Sequence, residues 1–154
     1  KQEQTGRADQ GLRSAVTGGA QMDGFVDIFS RNRTEEAMGS ALDLWTAFRE
    51  HAYLESPQPF VGYFFMLEDC EASNRPVGVQ EPHFRVFSDF RGASYTRRYE
   101  LFCRKLALER HYTASAFVTS ASQDGIAGKY KTPADDLSVE RFAKVLVAHV
   151  AAFV

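Results

Sequence analysis

The stretch SYTRRYELFCRKLALERHYTASAFVT, Ser94–Thr119, predicts a helix that leads directly into a β-strand. Over Ser94–His111 apolar side chains recur every three or four residues and basic side chains lie between them, a pattern typical of a helix with one buried face. Tyr112–Thr119 is a short apolar run of the kind that forms strands. The stretch therefore predicts the second half of a strand-helix-strand unit.

The first half of that unit is predicted upstream. Phe60–Leu67, FVGYFFML, is too short for a helix and rich in aromatic residues, so we expect a strand that is buried on both faces. Two strands joined through a helix form a right-handed parallel pair.

Three further helices complete the predicted order. They are Gln10–Phe29, Thr34–Tyr53 and Ser138–Phe153. Asn32 with Glu35 three residues later resembles a capping box at the start of the second helix. The order is helix, helix, strand, helix, strand, helix, which predicts an α/β fold. Two strands would leave two unpaired edges, so the sequence indicates that strands of the sheet are missing.

Length and composition predict one globular domain over residues 1–154. The chain has 154 residues, 44% of them hydrophobic, which is enough for a core. No apolar run approaches the roughly 20 residues that span a bilayer, so a membrane partner is not expected. Cys70 and Cys103 have no metal-ligand spacing; we expect reduced thiols in a cytoplasmic protein.

Charge is distributed unevenly along the chain. Residues 34–71 carry eight acids and one arginine, whereas residues 72–112 carry eight bases and four acids, in a chain of net charge −2. Clustered arginines interleaved with aromatic residues suit phosphate oxygens and base edges. The basic segment therefore predicts a polyanionic partner, although a solvated helix face would show the same pattern.

Several collinear blocks of the sequence resemble one protein family. The blocks are MDGFV at Met22–Val26, NRTEEAMGSALDLW at Asn32–Trp45, GYFFMLEDC at Gly62–Cys70, EPHF at Glu81–Phe84, FRGASYTRRYE at Phe90–Glu100 and LSVERFAKVLVAHVAA at Leu137–Ala152. Together they resemble the XhoI-type restriction endonucleases over nearly the whole chain.

That resemblance implies a type II restriction endonuclease of the PD-(D/E)xK nuclease class. It implies a three-layer α/β/α core, a homodimer, a palindromic double-stranded DNA site expected to be CTCGAG, and Mg²⁺ as the cofactor. A cognate DNA methyltransferase would act on the same site without needing to bind this protein. In that class carboxylates fix the cation, and a lysine orients the attacking water and stabilises phosphorane charge.

The sequence departs from the family at the catalytic hairpin. In the family the Asp and the Glu-x-Lys lie between the block resembling MDGFV and the block resembling NRTEEA, where this chain has only a few residues around Phe29–Asn32. We infer that several tens of residues, the scale of a βαβ unit, are absent at this junction. A genuine deletion is the alternative, and it would leave an inactive DNA-binding or dimeric scaffold protein.

The site residues are correspondingly candidates only. Glu36 is a weak catalytic candidate, since a first-turn acid is also favoured by the helix dipole, and no metal ligand can be named. The candidate DNA-binding residues are Asn32, Arg33, His83, Arg85, Arg91, Ser94, Arg97, Lys129 and Lys131. A small interaction domain without a nucleic-acid role would be favoured if the basic helix proved to be internally paired.

Overall fold

The computed structural model describes residues 19–79 and 85–153, with side chains described from residue 32 onward. The chain divides into two compact units, Lys1–Glu36 and Ala37–Val154. Within the described residues no helix is both long enough and apolar enough to cross a membrane.

Five α-helices and two strands make up the regular structure of the described residues. In chain order they are α1 (Gly19–Arg49), β1 (Gly62–Glu68), α2 (Glu71–Asn74), α3 (Tyr95–Leu108), β2 (Ala114–Ser120), α4 (Ser122–Ile126) and α5 (Val139–Ala151). Two short 3₁₀ turns, Ser88–Phe90 and Asp135–Leu137, precede α3 and α5. The predicted mixed α/β class is confirmed.

The two strands form the predicted parallel pair around α3. The register runs from Gly62 opposite Ala114 to Glu68 opposite Ser120. A backbone hydrogen bond from Asp69 N to Ser120 O, at 2.9 Å, continues the pairing past the strand ends. Since both strands point the same way, their carboxyl ends lie at one end of the sheet together with the start of α3.

Strand β2 forms the centre of the core. All seven of its residues are buried, and burying a side chain such as Phe117 stabilises the fold by roughly 1.5–3 kcal/mol. On one side of the sheet the ring of Phe65 stacks on Tyr99 of α3, with 4.2 Å between centroids. On the other side α5 packs against β2, and its Phe142 approaches Gly62 of β1.

The prediction that the first strand is buried on both faces was wrong. Along β1 half-buried and exposed residues alternate, and Phe64 and Met66 are 50% and 54% exposed. The physical reason is that α5 packs mainly against β2 and approaches β1 at its first residue, Gly62. Among the described residues β1 pairs only with β2, so its second edge carries no partner strand.

The prediction of two separate helices before β1 was also wrong. Helix α1 runs unbroken through residues 29–32, so Asn32 lies inside a helix and does not cap one. No glycine or proline interrupts residues 25–38, and the residues there tolerate helical backbone. Of the first predicted helix, residues 10–18 lie outside the described part of the chain.

Two side chains fasten the later part of α1 to the turn between α3 and β2. Tyr112 donates its hydroxyl to Ala37 O at 2.7 Å, and burial raises the pKa of that hydroxyl, so it stays a donor. Trp45 donates its indole N–H to His111 O, also at 2.7 Å. Ala37 and Ala41 pack in the same buried cluster, where their small side chains allow close approach.

Both cysteines are free thiols, as expected. Cys103 is fully buried, and burial raises the pKa of its thiol to about 12. Because the thiolate is the reactive form, Cys103 is a packing residue.

Gly62 provides a test of the packing between β1 and α5. A Cβ at this position would lie 2.6 Å from Phe142 and 2.7 Å from Phe60. We expect Gly62→Ala to lower the free energy of unfolding by about 1–3 kcal/mol because the rings must move. Gly39→Ala is the matched control, since nothing lies within 4 Å of its Cβ position and a helical glycine-to-alanine change stabilises by roughly 0.5–1 kcal/mol. If urea unfolding showed that both substitutions change the free energy of unfolding in the same direction, this description of the packing would be contradicted.

Candidate nucleic-acid interface

A polar surface lies at the carboxyl ends of the two strands. We call it the strand-end surface and define it as residues 68–74, 91–97 and 120–131. Lys131 Nζ lies 2.6 Å from Asp69 Oδ2, and Asn74 donates to Asp69 Oδ1 at 2.8 Å. Thr96 of α3 donates to Asn74 Oδ1 at 2.9 Å. This chain of contacts joins the loop after β2 to the first turn of α3, the usual place for ligands in parallel sheets.

The two predicted lysines lie in a loop that the backbone holds firmly. Thr119 and Lys131 exchange backbone hydrogen bonds of 2.9 and 2.7 Å, and Ser120 donates its hydroxyl to Lys129 O at 2.7 Å. Lys131 and Asn74 together lower the pKa of Asp69, so Lys131 is partly neutralised. Lys129 is exposed on an anchored backbone, which suits a contact to a phosphate.

Ser94 and Arg97 lie at the start of α3. Ser94 is the N-cap of the helix and accepts a hydrogen bond from Arg97 N at 3.3 Å. Arg97 Nη1 lies 2.6 Å from Glu100 Oε1, and the Arg97 side chain is 46% exposed. The guanidinium therefore keeps donors directed to solvent while one of them is held by its own helix.

The rest of the basic helix is largely paired within the protein. Arg98 donates to Val77 O at 3.0 Å and Arg104 holds Asp136 through bonds of 2.6 and 2.8 Å. The Lys105 ammonium lies 5.2 Å from the centre of the Phe87 ring. These contacts give most of the basic side chains of α3 a structural role, which the sequence alone had left undecided. The candidate interface is therefore limited to the first turn of α3 and the loop after β2.

Arg104 joins two acidic partners. It contacts Asp136 in the turn before α5 and Glu100 one turn earlier in α3. These contacts raise the pKa of Arg104 above its ordinary value and lower the pKa of Asp136. Sequence reasoning missed Asp136 because nothing in a spacing of 32 residues marks the two as neighbours.

The loop before α3 holds three candidates. Arg85 and Arg91 are exposed, and Arg91 directly follows the turn Ser88–Phe90. Both remain candidates for DNA contact. His83 lies outside the described residues.

The candidates of the N-terminal unit lie on α1. Arg33 Nη1 is 2.7 Å from Glu36 Oε2, and both side chains are exposed. Glu36 therefore takes part in an ordinary i,i+3 ion pair of a helix surface. Asn32 is exposed one turn before it.

The described residues do not fit the magnesium ion that the resemblance implies. No group of three or more His, Cys, Asp and Glu side chains among them could hold a metal ion. Glu68 accepts the Ser122 hydroxyl, and both oxygens of Asp69 are bound to nitrogen donors. Mg²⁺ needs several oxygen ligands in octahedral geometry.

Comparison with known proteins identifies relatives over most of the chain. A family profile described as restriction endonuclease XhoI matches residues 1–31 and 29–132. The type II restriction enzyme BstVI of Geobacillus stearothermophilus is 54% identical over 120 residues, which are 78% of this chain and 54% of that enzyme. The type II restriction enzyme XhoI of Xanthomonas vasicola is 54% identical over 78 residues, 51% of this chain and 32% of that enzyme.

A third relative, the type II restriction enzyme AbrI of Azospirillum brasilense, is 56% identical over 54 residues, 35% of this chain and 24% of that enzyme. The matched stretches thus span about half or less of the length of these relatives. No solved structure matches the chain.

The contact between Arg104 and Asp136 predicts a defined dependence of stability on pH. The pKa of Asp136 is lowered in the folded state, so its contribution is present above the unfolded pKa of roughly 3.9 and is lost as pH falls through the folded value. We expect Asp136→Asn to lower the free energy of unfolding at neutral pH by on the order of 1 kcal/mol, since both side chains are partly solvated.

The free energies of unfolding of the unsubstituted protein and Asp136→Asn, measured by denaturant titration, should become equal in strong acid. Asp135→Asn removes the same charge one residue earlier and serves as the control. An equal loss in both variants, or a loss from Asp136→Asn that persists at the lowest pH, would contradict the ion-pair explanation.

Proposed function

Because the chain belongs to the XhoI family of restriction endonucleases, we propose that it acts as a type II restriction endonuclease. Its reaction would be hydrolysis of phosphodiester bonds in double-stranded DNA at a palindromic site, with CTCGAG as the expected sequence and Mg²⁺ as the cofactor. Family membership carries this proposal, and the basic groups of the strand-end surface support it.

The proposed hydrolytic centre requires sequence that these 154 residues do not contain. The described residues offer no Mg²⁺ ligand set, so no catalytic step is assigned to them. The two stretches that match the family profile meet at residues 29–31, where the resemblance places the catalytic hairpin. We propose that a hairpin inserted there supplies the carboxylates and the lysine.

The open edge of β1 supports the same proposal. Unprotected sheet edges with exposed apolar side chains are normally covered or blunted, and β1 presents Phe64 and Met66 with no charged residue before Glu68. A hairpin paired with this edge would widen the sheet toward the three-layer α/β/α core of the PD-(D/E)xK nucleases.

DNA contacts are proposed at the residues that the sequence nominated. At the strand-end surface Lys129 would neutralise a phosphate directly, and Arg97 would share its guanidinium between Glu100 and a phosphate. Arg91 of the same surface and Arg85, which precedes it in the loop, are exposed and are further proposed contacts. The remaining proposed contacts are Asn32, Arg33, His83, Ser94 and Lys131, with Glu36 as the catalytic candidate.

A homodimer follows from the proposed palindromic site, since two-fold symmetry in the DNA is matched most simply by two-fold symmetry in the protein. A methyltransferase acting on the same site would protect the host DNA. The cytoplasm is the expected compartment.

A second function is favoured by one observation. Helix α1 is continuous through residues 29–32, so the chain as it stands folds without a hairpin at that point. If the shorter sequence is the natural one, the protein is a DNA-binding or dimeric scaffold without nuclease activity.

Binding and cleavage assays separate the two functions. We expect the 154-residue chain to bind a CTCGAG duplex without cutting it in Mg²⁺. Inserting at residues 29–31 a hairpin that carries the proposed carboxylates and lysine should restore cutting that EDTA abolishes. A chimera that binds but never cuts supports the scaffold, whereas cutting by the unmodified chain would overturn the assignment of the catalytic residues to the hairpin.

Lys129 tests the strand-end surface itself. We expect Lys129→Ala to weaken duplex binding for every sequence and to reduce by about one the slope of log affinity against log salt, because each phosphate contact releases counterions. Lys144→Ala, an exposed lysine on α5, is the control and should leave the slope unchanged. Fluorescence anisotropy at several salt concentrations measures both. An unchanged slope for Lys129→Ala would remove this residue from the interface.

A further inference from the structure

A second concave site lies at the opposite end of the sheet from the strand-end surface. It is a cleft of about 490 Å³ between the end of α1, the residues before β1 and the turn that joins α3 to β2. Its walls include Trp45, Arg49, Gln58, Arg110, His111 and Tyr112. The volume lies within the range of small-molecule sites.

The charge of this cleft is positive. Arg49 and Arg110 contribute guanidinium groups to its walls, and none of the residues that line it is an aspartate or a glutamate. His111 also lines the cleft, and its Nε2 lies 3.4 Å from Glu109 Oε2.

Residues 34–71 carry eight acids and one arginine. That arginine is Arg49, which lines the cleft. Arg49 donates from Nη2 to Thr46 Oγ1 at 3.0 Å, and the residue is exposed, so its guanidinium is accessible to a ligand.

A smaller concave site differs in this respect. A cavity of about 230 Å³ beside α5 is also lined by arginines, but Asp136 lies in its wall and binds Arg104 through two hydrogen bonds. Its positive charge is therefore already compensated, so an anion is expected in the larger cleft rather than here.

Hydrogen bonds hold the cleft in shape. Trp45 donates to His111 O at 2.7 Å, Thr113 N donates to Val61 O at 2.7 Å, and His149 Nε2 lies 3.0 Å from Gln58 O. Because the indole N–H of Trp45 is already bound, its ring surface is what it offers to a ligand.

Left-handed backbone directs Arg110 at the edge of the cleft. Arg110 has φ +59° and directly follows Glu109, the C-cap of α3, where a left-handed residue is a common way for a helix to end. Hydrogen bonds from Arg110 N to Ala107 O and from Tyr112 N to Leu106 O, each 3.1 Å, fix this conformation. The position of Arg110 in the wall is therefore set by the end of its helix.

We propose that this cleft binds a nucleotide. Arg49 and Arg110 would hold the phosphate through charge-assisted hydrogen bonds, and the base would pack against Trp45, as bases do on aromatic side chains. The cleft shares no residue with the strand-end surface, so the proposal is independent of DNA cleavage. Two sources supply this chemistry, a free mononucleotide and the unpaired terminal nucleotide of a DNA strand.

The chain carries its own probe for this site. Trp45 is the only tryptophan in the sequence, so its fluorescence reports on the cleft alone. Titration with adenosine or thymidine 5′-monophosphate, excited at the red edge of the indole band, should give saturable quenching. Inorganic phosphate should bind at least tenfold more weakly because it lacks the base.

Variants connect the signal to the two arginines. Arg49→Ala and Arg110→Ala should each weaken nucleotide binding about tenfold, about 1.4 kcal/mol, while Lys144→Ala leaves it unchanged. Unfolding curves establish that all three variants remain folded. Quenching at lower concentration by a duplex with a single-stranded extension than by a mononucleotide would assign the DNA strand as the source, and the reverse order would assign the free nucleotide.

Three results would overturn the proposal: no change in Trp45 fluorescence with any nucleotide, equal affinity for inorganic phosphate, or quenching that survives both arginine substitutions. Anisotropy of a labelled blunt duplex, measured on the same samples, tests the strand-end surface separately. Duplex binding without Trp45 quenching would show that the cleft is wrongly assigned. Trp45 quenching without duplex binding would show that the strand-end surface is wrongly assigned.

Discussion

The parallel pairing of β1 with β2 is the contact on which the rest of the described structure depends. Its register, from Gly62 opposite Ala114 to Glu68 opposite Ser120, buries all of β2 between α3 and α5. The same register fixes which residues share an end of the sheet. Asp69, Lys131 and the first turn of α3 meet at the carboxyl ends, whereas Trp45, Arg49 and Arg110 meet at the amino ends. A parallel pair thus yields two chemically different ends from one core.

The arginines of this protein divide into structural and available ones, and tertiary contacts make the division. Arg98 and Arg104 hold the segment before α3 and the turn before α5. A guanidinium bound to a carboxylate would have to exchange that partner for a phosphate, so it would add little to the proposed DNA contact. Lys129 differs, because it is exposed and the contacts recorded among the described residues involve its backbone. Counting basic residues along the chain therefore overstates the interface that α3 can provide.

The exposed face of β1 limits how much of a nuclease these residues can form alone. Phe64 and Met66 are half exposed, and the outer edge of β1 has no partner strand among the described residues. The stretches that this chain shares with the Geobacillus and Xanthomonas enzymes make up 54% and 32% of those enzymes. Both observations support the proposal that further sheet structure belongs beside β1.

The sequence by itself determined the parallel strand-helix-strand unit, the free cysteines and the family, because hydrophobic periodicity and collinear motifs are local properties of a chain. It did not determine that α1 continues through residues 29–32, since a capping pattern competes with uninterrupted helix propensity and only packing decides between them. Nor did it determine that β1 is the exposed strand and β2 the buried one, because both are apolar runs and the position of α5 makes the difference. Ser94, Arg97, Lys129 and Lys131 could be nominated from charge and position. That Arg104 is held by Asp136, and that Arg49 and Arg110 line one cleft with Trp45, was decided by tertiary structure alone, since electrostatic pairing depends on distance in space and not on separation in sequence.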